Sequence, residues 1–383
     1  MKDLKAVFFF SPIWDRINYP TGCPFDTGRA GKTRSTLKSM GILGGSQQRE
    51  VEPEKATRAE MEKFHDPAYL DALENAEKGD LPPEAFAMGI GTPDCPVFIG
   101  MTEYIASAVG ASLTGARMIL SGEANIVFNP AGGYHHAGPK EASGFCYVND
   151  VVLAAMELAD AEKRVLFLDI DVHHGDGVQN AFLERDDVMT ISIHENGKTL
   201  YPGTGFENEI GHGKGKGYDV NIPLPVGTYD AAYIRAFREA ALPLIKKYNP
   251  DVFVIELGMD ALAGDPLAHL HLTNNAYVDI IKDILKLEKP ILAVGGGGYN
   301  VEATVRSWAL LWNVLCGEDD HDMGIGLGGV MLESTDWLGG LRDRVLITDG
   351  GIRDTVDTEI NRVITYIREN VFPLHKPTRV GGR

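Results

Sequence analysis

The sequence predicts an α/β protein: a single domain with a mostly parallel open sheet and helices on both faces. Two observations predict this class. Short runs of apolar and β-branched residues recur along the 383-residue chain, and longer stretches with helical periodicity separate them. Strands that are apolar throughout, rather than alternating with polar residues, are typical of a parallel sheet covered on both sides.

Six runs are predicted to be strands: "AVFFF" (6–10), "NIVF" (125–128), "VLFLDID" (165–171), "VMTISIH" (188–194), "DVFVIEL" (251–257) and "PILAVGG" (290–296). Helices are predicted at 104–120, 148–158, 229–248, 277–287 and 301–316. The sequence shows no internal repeat and no interdomain linker. We therefore expect one domain over 1–383, with a core of about 5–316, a helical extension to about 372 and a frayed tail, "RVGGR".

The composition limits the class of protein. With 44% hydrophobic and 23% charged residues, the chain has the profile of a globular protein, and no apolar run approaches the roughly 20 residues that span a bilayer. The apolar run near the N-terminus is interrupted by "SP" and is shorter than the roughly 7 to 15 residues of a signal-peptide core. We expect no membrane partner.

Charge and cysteine content add two expectations. The net charge of −18 disfavours binding to nucleic acid phosphates. The cysteines at 23, 95, 146 and 316 form no C-x-x-C pair, which argues against a disulfide scaffold and favours a cytoplasmic location. A homo-oligomer is left open.

The segment "LDIDVHHGDG" (168–177) brings five ionisable side chains to the end of a buried strand. Isolated aspartates at strand ends are often helix caps or turn residues, but five ionisable groups so close together are hard to explain in that way. Because burying one unpaired carboxylate costs several kcal/mol, such a cluster requires a cation, a proton or a hydrogen-bond network.

A metal site is the favoured interpretation of this segment. Alternation along an extended chain places Asp169, Asp171 and His173 on one side and His174 on the other. Asp171 and His173 are candidate metal ligands, and Asp260 in "GMDALAGDP" can supply a third. Three protein ligands with an open position are typical of a catalytic metal, and this ligand set suits Zn²⁺ but admits Fe²⁺.

The adjacent pair His135 and His136 in "GGYHHAG" is a candidate for proton transfer. A single loop histidine is more often a packing or surface residue, but two neighbouring imidazoles between small residues favour a catalytic role. Each ring needs a carboxylate behind it, and Asp169 and Asp176 remain available after metal binding.

The glycine-rich segment "GGGGYN" (295–300) follows the last predicted strand. It has neither the spacing of a phosphate-binding loop nor that of a dinucleotide-binding turn. The glycines allow a sharp turn that brings Tyr299 into the pocket, where its hydroxyl group could donate to a developing oxyanion. A tight turn with a packed tyrosine is the alternative.

Taken together, these segments resemble the zinc-dependent histone deacetylase family, including the bacterial acetoin-utilisation proteins and acetylpolyamine amidohydrolases. The matching segments are "FHDPAYL", "GTPDCPVF", "AGGYHHA", "EASGFCYVNDVVLA", "DIDVHHGDGVQNAF", "MTISIH", "YPGTG", "GKGKGYDVNIPLP", "LAGDPL" and "GGGGYN". They span about residues 5 to 316 in the family's order and look most similar to the class I type. The resemblance implies an arginase-like open α/β fold.

The resemblance also implies a role for each matching residue in the reaction. Zinc ligands would be Asp171, His173 and Asp260. The proton-transfer pair would be His135 and His136, with Asp169 and Asp176 behind them, and Tyr299 would polarise the acyl carbonyl. His136 would be the principal base.

Further matching residues concern substrate and cation binding. The walls of an acyl-lysine channel would be formed by Gly144, Phe145 and Tyr201, with Leu267 at its rim. Asp94 would hold the substrate backbone. A structural K⁺ would bind near Asp169, Asp171, His173, Ser192 and Ile193.

Three departures from the class I pattern leave the substrate open. Most relatives have Phe where this chain has Tyr201, Ala where it has Met259, and "GxFNLT" where it has "AHLHLT". The expected function is metal-dependent hydrolysis of the acyl amide of acetyl-lysine in a peptide or protein, or of a similar small acylated amine, with release of acetate.

Three alternative functions remain. The first is an acetylpolyamine amidohydrolase, and the second is a ureohydrolase-type dimetal enzyme. That enzyme would need a D-x-H-x-D arrangement where this chain has "DVHHGD". The third is a catalytically silent sensor of acylated amines, which would normally have lost a catalytic group.

Overall fold

The computed structural model describes residues 4–318 and 340–375. Within these ranges, eight strands form one sheet in the order β2-β1-β3-β8-β7-β4-β5-β6, and all neighbouring strands are parallel. The strands are β1 (Ala6–Phe9), β2 (Gln48–Val51), β3 (Ile126–Asn129), β4 (Val165–Asp169), β5 (Val188–Glu195), β6 (Asp219–Leu224), β7 (Val252–Glu256) and β8 (Ile291–Val294). The predicted α/β class with a parallel sheet is confirmed.

Thirteen α-helices accompany the sheet in the described part of the chain. They are α1 (Ile13–Arg16), α2 (Arg29–Ser39), α3 (Arg58–Met61), α4 (Pro67–Glu77), α5 (Pro83–Ala87), α6 (Met101–Leu120), α7 (Asp150–Asp160), α8 (Asp176–Phe182), α9 (Asp230–Ala236), α10 (Leu242–Tyr248), α11 (Asn274–Leu285), α12 (Val301–Leu315) and α13 (Gly350–Asn370). A π-helical turn, Phe237–Ala241, joins α9 to α10. All five predicted helices are present, with ends that shift by a few residues.

Helices cover both faces of the sheet, as alternation along the central strands shows. On β3, Phe128 packs its ring edge against Trp308 of α12, at a centroid distance of 6.0 Å. The preceding Val127 points the other way, towards α6, where a Cβ added at Gly115 would lie 2.8 Å from the Val127 side chain. Because successive strand residues face opposite sides, α6 and α12 lie on opposite faces.

Two strands were not predicted from the sequence, and both lie at the edges of the sheet. β2 reads "QREV" and is half polar, whereas β6 reads "DVNIPL" and contains Pro223. A proline lacks the N–H that a central strand needs, so Pro223 is compatible with this edge position. The helices α2 and α4 were also not predicted.

The C-terminal helix α13 packs on the half of the molecule that contains α9 and β6. The hydroxyl group of Tyr229 and the guanidinium group of Arg235 both donate to the carboxylate of Asp357 on α13. This helix lies beyond the expected core, and the expected frayed tail "RVGGR" falls outside the described residues. Among the described residues, no helix is both long and apolar enough to cross a membrane.

A buried histidine, His65, links the turn between α3 and α4 to the start of α7. It is 1% exposed, and its Nε2 atom accepts a hydrogen bond from the backbone N–H of Asn149 at 3.0 Å. Burial lowers the pKa of His65 to about 4. The folded protein therefore keeps His65 neutral at a pH where the unfolded chain protonates it.

We predict that His65→Gln makes folding less sensitive to acid. Because the folded pKa is depressed, the stabilisation is present above about pH 6.5 and is lost as the pH falls towards 4, a change of about 3 kcal/mol. Urea unfolding between pH 7 and pH 4 should show a decline in the free energy of unfolding that is smaller by about this amount in the variant. His212→Gln, at an exposed site, serves as the control; equal declines in parent and His65→Gln proteins would contradict the prediction.

Candidate active site

The predicted site residues meet at the carboxyl ends of four adjacent central strands, β3, β8, β7 and β4. His135 and His136 follow β3, and Tyr299 follows β8. Asp260 follows β7, and the segment with Asp171 and His173 follows β4. In open parallel sheets, the loops beyond the carboxyl ends converge on the ligand site, and here four of them do so.

The histidine loop is held by the first residues of α7. The side-chain amide of Asn149 donates to the carbonyl oxygens of His135 and Ala137, at 3.3 and 3.0 Å. The buried carboxylate of Asp150 accepts from the backbone N–H groups of Gly133 and Tyr134, at 3.0 and 2.9 Å. Sequence reasoning missed this positioning role, although two polar residues after the apolar run "FCYV" were a signal for it.

Asp171, His173 and Asp260 form a buried group that fits a metal ion. Each offers a ligand atom, and these atoms lie within 4.8 Å of one another. The Nδ1 atom of His173 is 3.0 Å from Asp260 Oδ2 and 3.2 Å from Asp171 Oδ1. One imidazole nitrogen and two carboxylates are ligands that a divalent transition metal accepts.

The backbone around this group leaves room only for glycine. A Cβ added at Gly258 would lie 1.9 Å from Asp171 Oδ2, and one added at Gly297 would lie 1.9 Å from Asp260 Oδ2. The carboxylates thus sit directly against the chain, as a closely enclosed ion site requires. Burial and the charge of Asp171 raise the pKa of Asp260 to about 7.

The two adjacent histidines are each backed by a carboxylate and face each other. The Nδ1 atom of His135 is 3.0 Å from Asp169 Oδ2, and the Nδ1 atom of His136 is 2.7 Å from Asp176 Oδ1. The two Nε2 atoms are 3.0 Å apart. A hydrogen bond at this distance holds one proton, so one ring is the donor and the other the acceptor.

Electrostatics favour the proton on His135. Burial opposes a charge on either ring, but the carboxyl groups of Glu256 and Asp169 outweigh it and raise the pKa of His135. For His136, burial and the neighbouring His135 lower the pKa to about 4. His136 is therefore neutral at pH 7, and its Nε2 atom is the acceptor in the bond with His135.

The predicted channel residues lie above this pair. A Cβ added at Gly144 would lie 2.4 Å from the His136 ring and 3.1 Å from the Tyr201 ring, so glycine sets the width of the passage. The Tyr201 ring meets that of His136 edge-on at 5.1 Å, and the rings of Phe145 and Tyr299 are 5.7 Å apart. The entrance is narrow and lined by aromatic rings.

The rim residues are tied to the channel by backbone contacts. The exposed Asp94 accepts a hydrogen bond at its carbonyl oxygen from the N–H of Phe145, at 3.1 Å. On the opposite loop, Asp265 accepts from the N–H groups of Leu267 and Tyr299, at 2.9 and 2.7 Å. Asp265 thereby couples the rim to the Tyr299 turn, a role that sequence reasoning missed.

Glu256 has a different place from the one expected, whereas His174 lies on the side that the alternation predicts. Glu256 ends β7 and was included there in an apolar run, yet its Oε1 atom is 3.1 Å from His135 Nδ1. A single acid inside "VFVIEL" was the available signal. His174 points away from the metal group, and its ring nitrogens contact the side chains of Thr204 and Gln179.

The residues predicted for K⁺ lie on β4, on β5 and in the segment after β4. Ser192 pairs with Asp169 in the sheet, and its hydroxyl group is 2.8 Å from His194 Nδ1. Ile193 is fully buried beside it. The geometry brings these residues together, and the cation itself stays a prediction.

Fold and site together define an α/β metal-dependent hydrolase. The chain matches the histone deacetylase domain over residues 23–315. It belongs to the histone deacetylase family, and it is a deacetylase that hydrolyses amide bonds. A ureohydrolase and a silent sensor are not supported, and an acetylpolyamine amidohydrolase is not favoured over a deacetylase of this family.

Relatives from animals, fungi and bacteria share most of the chain. Histone deacetylase 8 of Xenopus tropicalis is 39% identical over 76% of this chain and 78% of its own length. Histone deacetylase RPD3 of Saccharomyces cerevisiae is 37% identical over 82% and 73%. The acetoin utilization protein AcuC of Bacillus subtilis is 39% identical over 82% and 83%.

Solved structures show the same fold. A crystal structure of an HDAC homolog in complex with SAHA superposes with a TM-score of 0.82, at 29% identity, over 96% of this chain and 100% of the other. An HDAC homolog from Aquifex aeolicus gives a TM-score of 0.80 at 29% identity, over 94% and 100%. The similarity extends beyond the matched domain into the C-terminal part of the chain.

We predict that Asp260→Ala removes both metal and activity, because the two remaining side chains hold a metal ion poorly. Elemental analysis of purified protein should find close to one metal per chain in the parent and less than about a tenth of that in the variant. Asp283→Asn, at a buried carboxylate on α11 that pairs with Arg238 and Lys286, is the control and should retain its metal. Full occupancy in Asp260→Ala would exclude this ligand set.

Proposed function

We propose that this deacetylase removes the acetyl group from acetyl-lysine in a peptide or protein, with Zn²⁺ as its metal. The opposed pair of histidines below a narrow aromatic channel carries the proposal. In this proposal an unbranched aliphatic stem passes between Phe145 and Tyr201. The Tyr201 ring contacts those of His136 and His173, so the acyl group at the end of the stem would reach His136 and the metal ligands. The relatives named as histone deacetylases support this substrate class.

The reaction is hydrolysis of the amide with proton transfer by the two histidines. Asp171, His173 and Asp260 would hold a divalent metal, which would supply Lewis-acid polarisation of the acyl carbonyl and of water. His136, neutral and oriented by Asp176, accepts a proton from the attacking water at Nε2. His135 donates a proton from Nε2 to the nitrogen of the leaving amine, so acetate and a free amine result.

Tyr299 contributes a hydrogen bond to the oxygen that becomes negative. Its backbone is fixed by the bond from its N–H to Asp265, and its ring lies 6.4 Å from that of His173. Burial raises the pKa of the Tyr299 hydroxyl group, so it stays protonated and can donate.

Cofactors and cellular setting complete the proposal. Zn²⁺ suits two carboxylates and one imidazole, and Fe²⁺ is the alternative. A structural K⁺ would bind at the oxygen atoms around Asp169, Asp171 and Ser192. All four cysteines are free thiols in the structure, which supports a cytoplasmic location.

We predict that Tyr299→Phe lowers kcat about 10² to 10³-fold while the metal stays bound, which is the effect of losing one oxyanion donor. Steady-state kinetics on an acetyl-lysine peptide, with elemental analysis of the same preparation, checks this. Tyr218→Phe is the control, because this residue directly precedes β6 and so lies at the opposite end of the strands from the site. A near-parental kcat in Tyr299→Phe would assign Tyr299 to packing alone.

We predict that acetyl-lysine peptides are hydrolysed with a higher kcat/KM than acetylspermidine or acetylputrescine. Leu267 at the rim is uncharged and offers no partner for a second ammonium group, whereas Asp94 is exposed and can accept hydrogen bonds from a peptide backbone. Asp94→Ala should raise KM for peptides and leave the polyamines unaffected.

Matched kinetics on these substrates, with and without chelator, is the experiment. Asp186→Ala is the control, because this exposed acid precedes β5 and so lies at the opposite end of the strands from the site. A preference for the acetylpolyamine, or unchanged peptide kinetics in Asp94→Ala, would contradict the proposed substrate.

A further inference from the structure

Glu195 is a buried acid that the reaction itself does not use. It ends β5, and its side chain is 0% exposed. Its Oε2 atom accepts a hydrogen bond from the backbone N–H of His269 at 2.9 Å, and its Oε1 atom lies 2.9 Å from Nδ1 of the same histidine. Oε1 is also 2.9 Å from the hydroxyl group of Thr199, which shares its hydrogen with the carbonyl oxygen of Asn196 at 3.0 Å. Both carboxyl oxygens are thus used as acceptors.

These partners lie on two loops at the channel mouth. Thr199 belongs to the segment 196–203 that carries Tyr201, here called the Tyr201 loop, and His269 belongs to the segment 263–271 that carries Leu267, here called the Leu267 loop. The two bonds to His269 cross from one loop to the other. The side chain of His269 is 55% exposed, so these hydrogen bonds, rather than burial in the core, fix its position.

Glu195 is itself attached to the segment that supplies the metal ligands. Its backbone N–H donates to the carbonyl oxygen of Val172 at 2.8 Å, and Val172 stands between Asp171 and His173. The N–H of Val172 in turn donates to Asp260 Oδ1 at 2.9 Å. The acid that joins the two loops is therefore held in a fixed place relative to the metal ligands.

We propose that Glu195 is a positioning residue for substrate binding, which joins the Tyr201 loop to the Leu267 loop and so forms the channel mouth before substrate arrives. This inference rests on the proposed peptide substrate. Glu195 does not touch the substrate and acts through the two loops. A mouth that is already formed spares the substrate the cost of ordering loops when it binds, so Glu195 affects binding more than the chemical step.

The experiment compares substitutions of Glu195 in the metal-loaded enzyme. Glu195→Met keeps an unbranched side chain and removes both acceptors. The KM for an acetyl-lysine peptide should rise about tenfold, whereas kcat should change by less than about twofold, because the histidine pair and the metal ligands are untouched. Amide hydrogen exchange of the substrate-free protein, followed by mass spectrometry, should become faster in both loops.

A conservative variant separates hydrogen bonding from acidity. In Glu195→Gln, the amide oxygen can accept from the N–H of His269, and the amide nitrogen can donate to Nδ1 once the ring carries its hydrogen on Nε2. Both bonds between the loops survive although the acid is gone, so KM should stay within about twofold of the parental value.

The matched control is Asp219→Leu. It removes the acceptors of another buried acid, which is 3% exposed and lies at the start of β6, at the opposite end of the strands from the site. Peptide KM and the exchange of the two loops should both keep their parental values in this variant.

Several results would overturn the proposal. A fall in kcat at constant KM, or the same loss in Glu195→Gln as in Glu195→Met, would assign the effect to the acid and not to the link between the loops. Unchanged exchange in both loops, with His269→Ala raising KM as much as Glu195→Met, would make the His269 ring a direct substrate contact instead.

Two further arms keep the test decisive. If Glu195→Met folds poorly, Glu195→Ala, which lets water reach the freed donors, must show the same rise in KM and the same faster exchange. A parent protein that does not hydrolyse the peptide would refute the acetyl-lysine proposal, whereas the link between the loops would still be tested by hydrogen exchange, which needs no substrate.

Discussion

Acids buried at the carboxyl ends of the central strands are the constraint on which the rest of this structure depends. Five carboxyl groups with 0 or 1% exposure lie at or near the carboxyl ends of the central strands: Asp150, Asp169, Asp171, Glu256 and Asp260. Burying an uncompensated carboxylate in such a place costs several kcal/mol of folding free energy, so each group needs a hydrogen-bond donor, a proton or a cation. The loops of the site supply partners for most of these buried acids.

The partner differs from one acid to the next. Asp150 accepts hydrogen bonds from backbone N–H groups and thereby fixes the conformation of the histidine loop. Asp169 takes an imidazole, whereas Asp171 and Asp260 share His173 and are placed to share a cation. Of these five acids, Glu256 alone has no hydrogen-bond donor, and its Oε1 atom lies 3.1 Å from His135 Nδ1. The same buried acids therefore hold the loops in place and position the groups that take part in the reaction.

Sequence reasoning predicted the parts of this arrangement that depend on one segment at a time. The central strands are apolar throughout, and ionisable residues directly after them point to the site. The edge strands β2 and β6 were missed because an edge strand tolerates polar residues and Pro223. The acid of Glu256 was missed because its partner lies on another strand's loop, 121 positions away, and no local spacing encodes that distance.

The sequence and the fold determine the reaction class better than the substrate, because the site has two parts. Its floor consists of the histidine pair and the metal ligands, and its rim consists of the loops at the channel mouth. The floor is enclosed: Gly258 and Gly297 leave no space for a side chain, so its geometry admits little change. The rim consists of loops that carry Asp94, Leu267 and the partly exposed Tyr201. These loops are attached to the floor by few bonds, such as that from Phe145 to Asp94 and those to Asp265, and loops of this kind accept substitutions that a packed floor does not. We therefore expect substitutions in the rim loops to change which acylated amine enters, while the proton-transfer pair below stays in place.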